Sequence, residues 1–193
     1  MSIKIFCLFI YVHVYIGVFA QTKDLMTITE SPLPQKIYLK NDYRLVVITT
    51  DEERILSLIG PNIDTVLKKI SISTSPRYLG DLIGDYDDFF ILLYPELEMS
   101  VFKKQNGQRL AHGTYLHEED TINAVFYIDH QLDDQLGIFD FKTMKVELFN
   151  PLETSCQKWW VCIRKKTLSE NQLILDYLDP NNNLKKKFYN RKP

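Results

Sequence analysis

The sequence predicts an α+β fold dominated by β-strands: an antiparallel β-meander or sandwich with one or two short helices near the N-terminal side. Short runs of β-branched and aromatic residues recur along the chain, and turn residues such as Asn106-Gly107 separate them. Between residues 50 and 70, apolar residues recur at helical spacing instead. The chain has 193 residues, 45% of them apolar and 25% charged, which is enough for one domain with its own core.

The strand predictions cover most of the second half of the chain and a short stretch before residue 50. Each rests on a run of β-formers bounded by polar, Gly or Pro residues, and several neighbouring runs are spaced as hairpins. The continuous apolar run at 89–94 has the composition of a buried strand. The predicted strands are Lys36–Lys40, Arg44–Thr50, Phe89–Tyr94, Glu98–Gln105, Gln108–Leu116, Thr121–Asp129, Gly137–Phe141, Lys145–Phe149, Trp159–Arg164, Gln172–Leu178 and Leu184–Tyr189.

The helix prediction covers residues 50–70. Thr50 and Glu53 have the spacing of a capping box, and Gly60-Pro61 would end the first helical run. The second run has apolar residues at i, i+3, i+4 and i+7, namely Ile63, Val66, Leu67 and Ile70. We expect the apolar stripes of these helices to pack on the protein's own sheet.

Residues 1–20 have the three parts of a secretory signal peptide. Lys4 precedes an apolar stretch, Ile5–Phe19, and Val18-Phe19-Ala20 suits cleavage before Gln21. The alternative, an uncleaved anchor, is disfavoured because the stretch falls short of the roughly 20 residues that cross a bilayer. We therefore expect a secreted protein with no transmembrane span after cleavage, a flexible lead-in at 21–35 and a single α+β domain at 36–193.

The cysteines fit a secreted chain. Cys7 would leave with the signal peptide, and Cys156 and Cys162 would form a disulfide in an oxidising compartment. Bridged cysteines have Cα atoms within about 7 Å, whereas six residues of straight strand span roughly 20 Å. The bond therefore requires residues 155–162 to turn or bulge; otherwise the two thiols stay free or find other partners.

Charge and motifs exclude several functional classes. A formal net charge of −2 argues against nucleic-acid binding. The sequence has no G-x-G-x-x-G, P-loop, H-E-x-x-H or G-x-S-x-G motif, which disfavours nucleotide enzymes, zinc proteases of that type and α/β-hydrolases. We expect no cofactor.

Two kinds of polar cluster have the residue types of a catalytic or metal site. A zinc ion needs three or four converging ligands, and strand parity offers only one or two in each set, so we expect solvated acidic turns and no metal. Paired carboxylates could hydrolyse a glycoside, although nothing in the sequence sets their separation. The metal candidates are His112, His117, Glu118, Glu119 and Asp120, with His130, Asp133 and Asp134; the carboxylate candidates are Asp85, Asp87, Asp88, Glu118, Glu119 and Asp120.

Binding residues are predicted near the only two tryptophans. Trp159 and Trp160, with Arg164 and Lys165, would form a binding hot spot if one indole is exposed; the alternative is that both are buried. The basic stretch Lys185–Lys192 would attract an acidic partner or simply protect an edge strand. We expect a small secreted interaction or effector protein without catalysis, whose partner is an extracellular or host protein or an acidic glycan. The alternatives are a secreted hydrolase using loop carboxylates and a carrier of a small apolar ligand.

Overall fold

The computed structural model describes residues 35–116, 123–169 and 171–191, and in these ranges the chain is built from antiparallel β-strands. Three isolated 3-10 turns, at Pro76–Leu79, Pro95–Leu97 and Trp159–Cys162, are the helical elements of the described ranges. The β-dominated antiparallel class is confirmed. The strands are β1 Lys36–Tyr38, β2 Arg44–Thr49, β3 Glu53–Gly60, β4 Ile63–Ser71, β5 Asp81–Asp85, β6 Phe89–Leu93, β7 Glu98–Lys103, β8 Arg109–Leu116, β9 Ala124–Asp129, β10 Gln135–Asp140, β11 Lys145–Phe149, β12 Ile163–Leu168, β13 Gln172–Leu178 and β14 Leu184–Asn190.

The strands form three meanders in which each strand pairs with its neighbours in sequence. Sheet A contains β1–β4, sheet B contains β5–β11 and sheet C contains β12–β14. All of the pairs are antiparallel, and the hairpin predicted around Asn106-Gly107 joins β7 to β8. Short connections between strands adjacent in sequence make this the simplest topology open to such a chain.

The predicted helices over residues 50–70 are wrong, because this stretch forms the hairpin β3–β4. Leu56 and Leu58 are buried as alternate residues of a strand, so the apolar residues serve two faces of a sheet rather than one stripe of a helix. Thr50 and Glu53, which have the spacing of a capping box, instead close a turn between strands. Thr50 Oγ1 accepts a hydrogen bond from the Glu53 amide (3.0 Å), and Thr50 N–H donates to the Glu53 carbonyl (2.9 Å), within the turn between β2 and β3.

Sheet B bends sharply between β8 and β9. These strands pair only over Thr114–Leu116 and Phe126–Ile128. The first half of the sheet, β5–β8, and the second half, β9–β11, pack face to face around a shared core, because the rings of Phe89 and Phe139, four strands apart in the sheet, have centroids only 5.1 Å apart. That core contains Phe89, Ile91, Met99, Val101 and Ala111 from the first half, with Val125, Tyr127 and Phe139 from the second.

The outer faces of sheet B are covered by the other two sheets. Phe90, Leu92 and Phe102 of the first half pack with Leu45 and Leu58 of sheet A. On the other side, Phe126, Ile128 and Ile138 of the second half pack with Leu173 and Leu175 of sheet C. The described residues thus stack as four layers: sheet A, the two halves of sheet B, and sheet C.

The predicted strand at Trp159–Arg164 is only partly correct, since residues 159–162 form a 3-10 turn and β12 begins at Ile163. Cys156 and Cys162 are joined by a disulfide, and their Cα atoms are 5.8 Å apart. The expected turn within residues 155–162 is therefore present, because a straight strand would hold the two sulfur atoms too far apart to bond.

The expected signal peptide at 1–20, with Cys7, lies outside the described residues, as does the lead-in apart from Gln35, whose carbonyl accepts a hydrogen bond from Val47 (3.0 Å). Across the ranges that the structure describes, no helix has the length and apolar character needed to cross a membrane.

Candidate functional site: a disulfide-closed loop and an inter-sheet cavity

The disulfide closes a short loop, residues 156–162, against the second half of sheet B. Trp159 is buried, and its Nε1–H donates to the backbone carbonyl of Asp134 at 2.9 Å. A buried indole needs such a partner, so this bond holds Trp159 in the core. Trp159 is therefore an anchor of the loop rather than part of its outer surface.

Trp160 and Val161 form the outward side of this loop. Trp160 is half-buried against Trp159 and His130, with ring centroids 6.3 Å and 5.7 Å away, and Lys158 Nζ lies 5.8 Å from its ring. Val161 is 59% exposed. We call residues 158, 160 and 161 the loop tip. It presents apolar surface on a backbone that the disulfide constrains.

His130 supports the loop tip from the turn between β9 and β10. Its Nδ1 contacts the Asp134 carboxylate and its Nε2 contacts the Thr114 hydroxyl at 2.7 Å. Because a carboxylate accepts, Nδ1 carries a proton and Nε2 accepts from Thr114 in the neutral ring. The predicted metal candidates His130 and Asp134 are thus paired with each other.

The predicted cations Arg164 and Lys165 are exposed on β12, which follows the loop directly. Lys165 lies opposite Asp176 of β13. Asp176 in turn lies opposite Lys186 of β14, within the predicted basic stretch. Arg191, from the same stretch, is structural instead: its guanidinium bonds Glu147 (2.6 Å) and Asp140 (3.2 Å). Arg164 and Lys165 thus follow the loop directly in sequence and are exposed. Trp159 is buried and does not share their surface.

Of the acidic candidates before β6, Asp85 at the end of β5 is half-buried in an ion pair, whereas Asp87 and Asp88 are exposed in the loop. The Asp85 carboxylate pairs with the buried Lys104 ammonium (2.7 Å) and accepts from the Lys40 amide (2.8 Å). Asp87 lies 3.8 Å from Lys40, and the Asp88 carbonyl accepts from the Lys104 amide (2.8 Å). Glu118, Glu119, Asp120 and His117 lie outside the described residues. Where side chains are described, no three His, Cys, Asp or Glu groups converge as a metal site would require.

A cavity of about 330 Å³ lies between sheet A and the first half of sheet B. Apolar side chains of β4 and β7 line it together with polar and charged side chains of β4, β7 and β8. Most of its residues could not be predicted from the sequence, because they lie on β4, β7, β8 and two connections that only the stacking of the sheets brings together. It is lined by Val66, Leu67, Lys68, Tyr94, Ser100, Phe102, Gly107, Arg109 and His112.

The floor of the cavity is a hydrogen-bonded group of polar side chains. Ser100 is only 1% exposed; it bonds the Tyr94 side chain and lies 2.9 Å from His112 Nδ1. His112 Nδ1 is also 2.9 Å from the Met99 carbonyl. Because a carbonyl only accepts, Nδ1 carries the proton, so it cannot take one from Ser100 and these residues are not a nucleophile and its base.

Two cations line the same cavity. Lys68 Nζ lies 3.9 Å above the Tyr94 ring. Burial lowers the pKa of the Lys68 ammonium below its ordinary value; nearby Glu98 opposes this change and Arg109 adds to it. Burial likewise raises the pKa of the Tyr94 hydroxyl, although its bond to Ser100 acts in the other direction. Burial thus disfavours the charged form of Lys68 and favours the uncharged phenol of Tyr94.

No family model matches the chain, and no curated protein matches it. It is similar to a crystal structure of HIRA(644-1017), with a TM-score of 0.31 and 10% identity, over 80% of this chain and 54% of that one. It is also similar to BamB from Moraxella catarrhalis, with a TM-score of 0.27 and 11% identity, over 77% of this chain and 50% of that one. The chain spans about half the length of these two structures.

Proposed function

We propose that the protein is secreted and binds an extracellular protein through the loop tip and the neighbouring cations Arg164 and Lys165, without catalysis. The observation that carries this proposal is an apolar loop tip, with Val161 exposed and Trp160 half-buried, on a backbone that a disulfide restrains. A restrained loop loses less conformational entropy on binding, and Trp and Arg are the residues most enriched at binding hot spots.

Two polar groups of the described ranges support binding over hydrolysis. Asp85 is occupied by the ion pair with Lys104, and the bond from His112 to the Met99 carbonyl prevents activation of Ser100. The cavity suits an apolar carrier poorly, since Lys68 and Arg109 line it and desolvating cations is costly. The exposed Arg164 and Lys165 favour a partner surface that carries acidic residues.

Site-directed photo-crosslinking tests this proposal. We would express the full chain in eukaryotic cells, collect the medium, and place a photoreactive residue at position 161. Position 38 provides a matched control, because Tyr38 is 76% exposed on the distant sheet A. We expect export without residues 1–20, and a crosslink to one extracellular protein from position 161 but not from position 38.

Substitution then measures what the loop contributes to affinity. Trp160→Ala should weaken binding to the crosslinked protein by about tenfold or more, the scale of a hot spot. Tyr38→Ala should leave the affinity unchanged. Equal crosslinking from both positions, or an affinity that does not respond to Trp160→Ala, would contradict the proposed surface. Saturable binding to heparin that the substitution abolishes would indicate an acidic glycan instead.

A further inference from the structure

We propose that the cavity between β4 and β7–β8 binds a small molecule that carries an oxyanion, with Lys68 and Arg109 as its counter-charges. This site lies between sheet A and sheet B, whereas the loop tip adjoins the second half of sheet B and sheet C. The inference therefore does not rest on the proposed function of the loop.

The charges of the cavity are the first argument. Within the described ranges, neither Lys68 nor Arg109 has a carboxylate within ion-pair distance. The half-buried Lys68 ammonium feels the attraction of Glu98 and a smaller repulsion from Arg109. An anion between Lys68 and Arg109 would attract both cations and would compensate the ammonium for its lost hydration.

The fixed polar groups are the second argument. Ser100 is almost completely buried, is held by its bonds to Tyr94 and His112, and still lines the cavity. The Tyr94 ring in turn supports the Lys68 ammonium through a cation–π contact. The Lys68 charge is thus held at the cavity before any ligand arrives, which lowers the entropic cost of binding.

The shape of the cavity limits the class of ligand. Its volume of about 330 Å³ is at the lower end for small-molecule sites. Val66, Leu67 and Phe102 also line the cavity and provide apolar surface for an uncharged ring or chain. A cationic ligand would meet repulsion from both charges. We therefore expect a small, singly or doubly charged acid with an apolar body.

NMR titration of the full chain, labelled with 15N, tests the site with defined probes. The probes are phenyl phosphate, phenyl sulfate and benzoate, which share an aromatic body and differ in the oxyanion, at constant ionic strength in chloride. Benzyl alcohol is the neutral control. We expect saturable shifts of the Leu67, Lys68 and Gly107 amides with at least one oxyanion, and none with benzyl alcohol. The probe that binds most tightly identifies the oxyanion.

Two variants identify the cations. Lys68→Met and Arg109→Gln should each weaken binding of the best probe by about tenfold or more, the effect of losing a charge-assisted hydrogen bond. Lys69→Met removes the same charge from the next residue, which pairs with Glu53 at 2.9 Å, and should leave affinity unchanged. Shifts that do not saturate, an equal response to benzyl alcohol, or an equal loss in Lys69→Met would overturn the proposal. If a variant fails to fold, the comparison of the oxyanion probes with benzyl alcohol on the wild-type protein still tests the proposal.

Discussion

At the residue scale, two lysines differ in their contacts: Lys104 stabilises the fold, whereas Lys68 is part of the proposed anion site. Lys104 is 1% exposed, but its ammonium pairs with Asp85 and donates to the carbonyls of Lys40 and Tyr86. These contacts place one carboxylate and two carbonyl oxygens around the ammonium and join the β1–β2 turn to sheet B. Lys68, by contrast, contacts an aromatic ring and no carboxylate in the described ranges.

Replacing Lys104 should therefore destabilise the protein strongly. Lys104→Met removes the ammonium and leaves the Asp85 carboxylate without its closest counter-charge, which costs about 3 kcal/mol for a buried pair. Urea denaturation at pH 7 would measure the loss. The neighbouring Lys103→Met should change the free energy of unfolding by less than about 0.5 kcal/mol, as for an ordinary surface residue. A similar effect of both substitutions would show that the ion pair adds nothing to stability.

At the scale of elements, turns and strand ends contribute much of the specific bonding. Asp140 ends β10, and its Oδ1 accepts from the amides of Lys142 (3.0 Å) and Thr143 (2.9 Å), which shapes the β10–β11 turn. Its other oxygen accepts from Arg191, which follows β14. One carboxylate therefore defines a hairpin and connects it to the end of sheet C.

The pH dependence of stability should reflect this carboxylate. Burial alone would raise the pKa of Asp140, but hydrogen bonds from Thr143, Arg191 and Lys142 outweigh it and lower the pKa below its ordinary 3.8. A lowered pKa in the folded state stabilises the protein at pH values above the unfolded pKa, and this contribution is lost as the pH falls through the folded pKa. Asp140→Asn should thus cost about 1 to 2 kcal/mol at pH 7 and progressively less below pH 4.

Urea denaturation at pH 7, 5, 4 and 3 would follow the difference between the wild type and Asp140→Asn. Asp64→Asn, an exposed substitution on β4, is the control and should track the wild type at each pH. A difference that stays constant or grows as the solution is acidified would show that ionised Asp140 does not stabilise the fold.

The β3–β4 hairpin shows why local patterns misidentify elements. The i, i+3 spacing of Thr50 and Glu53 brings the same hydroxyl and amide together in a helix cap and in this tight turn. Likewise, residues such as Ile55 and Ile59 fit a helical stripe or the second face of a strand. Their β-branched side chains suit a strand, and pairing with β2 on one side and β4 on the other decides the outcome.

At the scale of the whole molecule, the bend in sheet B sets the order of the layers. Gly113 lies in β8 just before the short pairing with β9. A Cβ atom built at this position would be 1.9 Å from the Ile128 carbonyl oxygen. Because the obstruction is backbone, a side chain here could be accommodated only if the two strands moved apart.

Gly113→Ala should therefore destabilise the protein by more than about 3 kcal/mol, as for severe overpacking. Thermal and urea denaturation of the variant would measure this loss. Thr114→Ser, the next residue in β8, retains the hydroxyl that contacts His130 and should cost less than about 1 kcal/mol. Wild-type stability in Gly113→Ala would mean that the strands separate freely at the bend.

Local chemistry in the sequence by itself determined the β-dominated class, most strand positions, the Asn106-Gly107 hairpin and the Cys156–Cys162 pair, because strand propensity, turn residues and cysteine spacing act over a few residues. Only the tertiary structure decided that residues 50–70 form a hairpin, that Trp159 is buried while Trp160 is half-buried, and that Lys68, Tyr94 and Arg109 share a cavity. Those outcomes depend on contacts between strands far apart in the chain, and a local sequence pattern does not specify which sheets pack against each other.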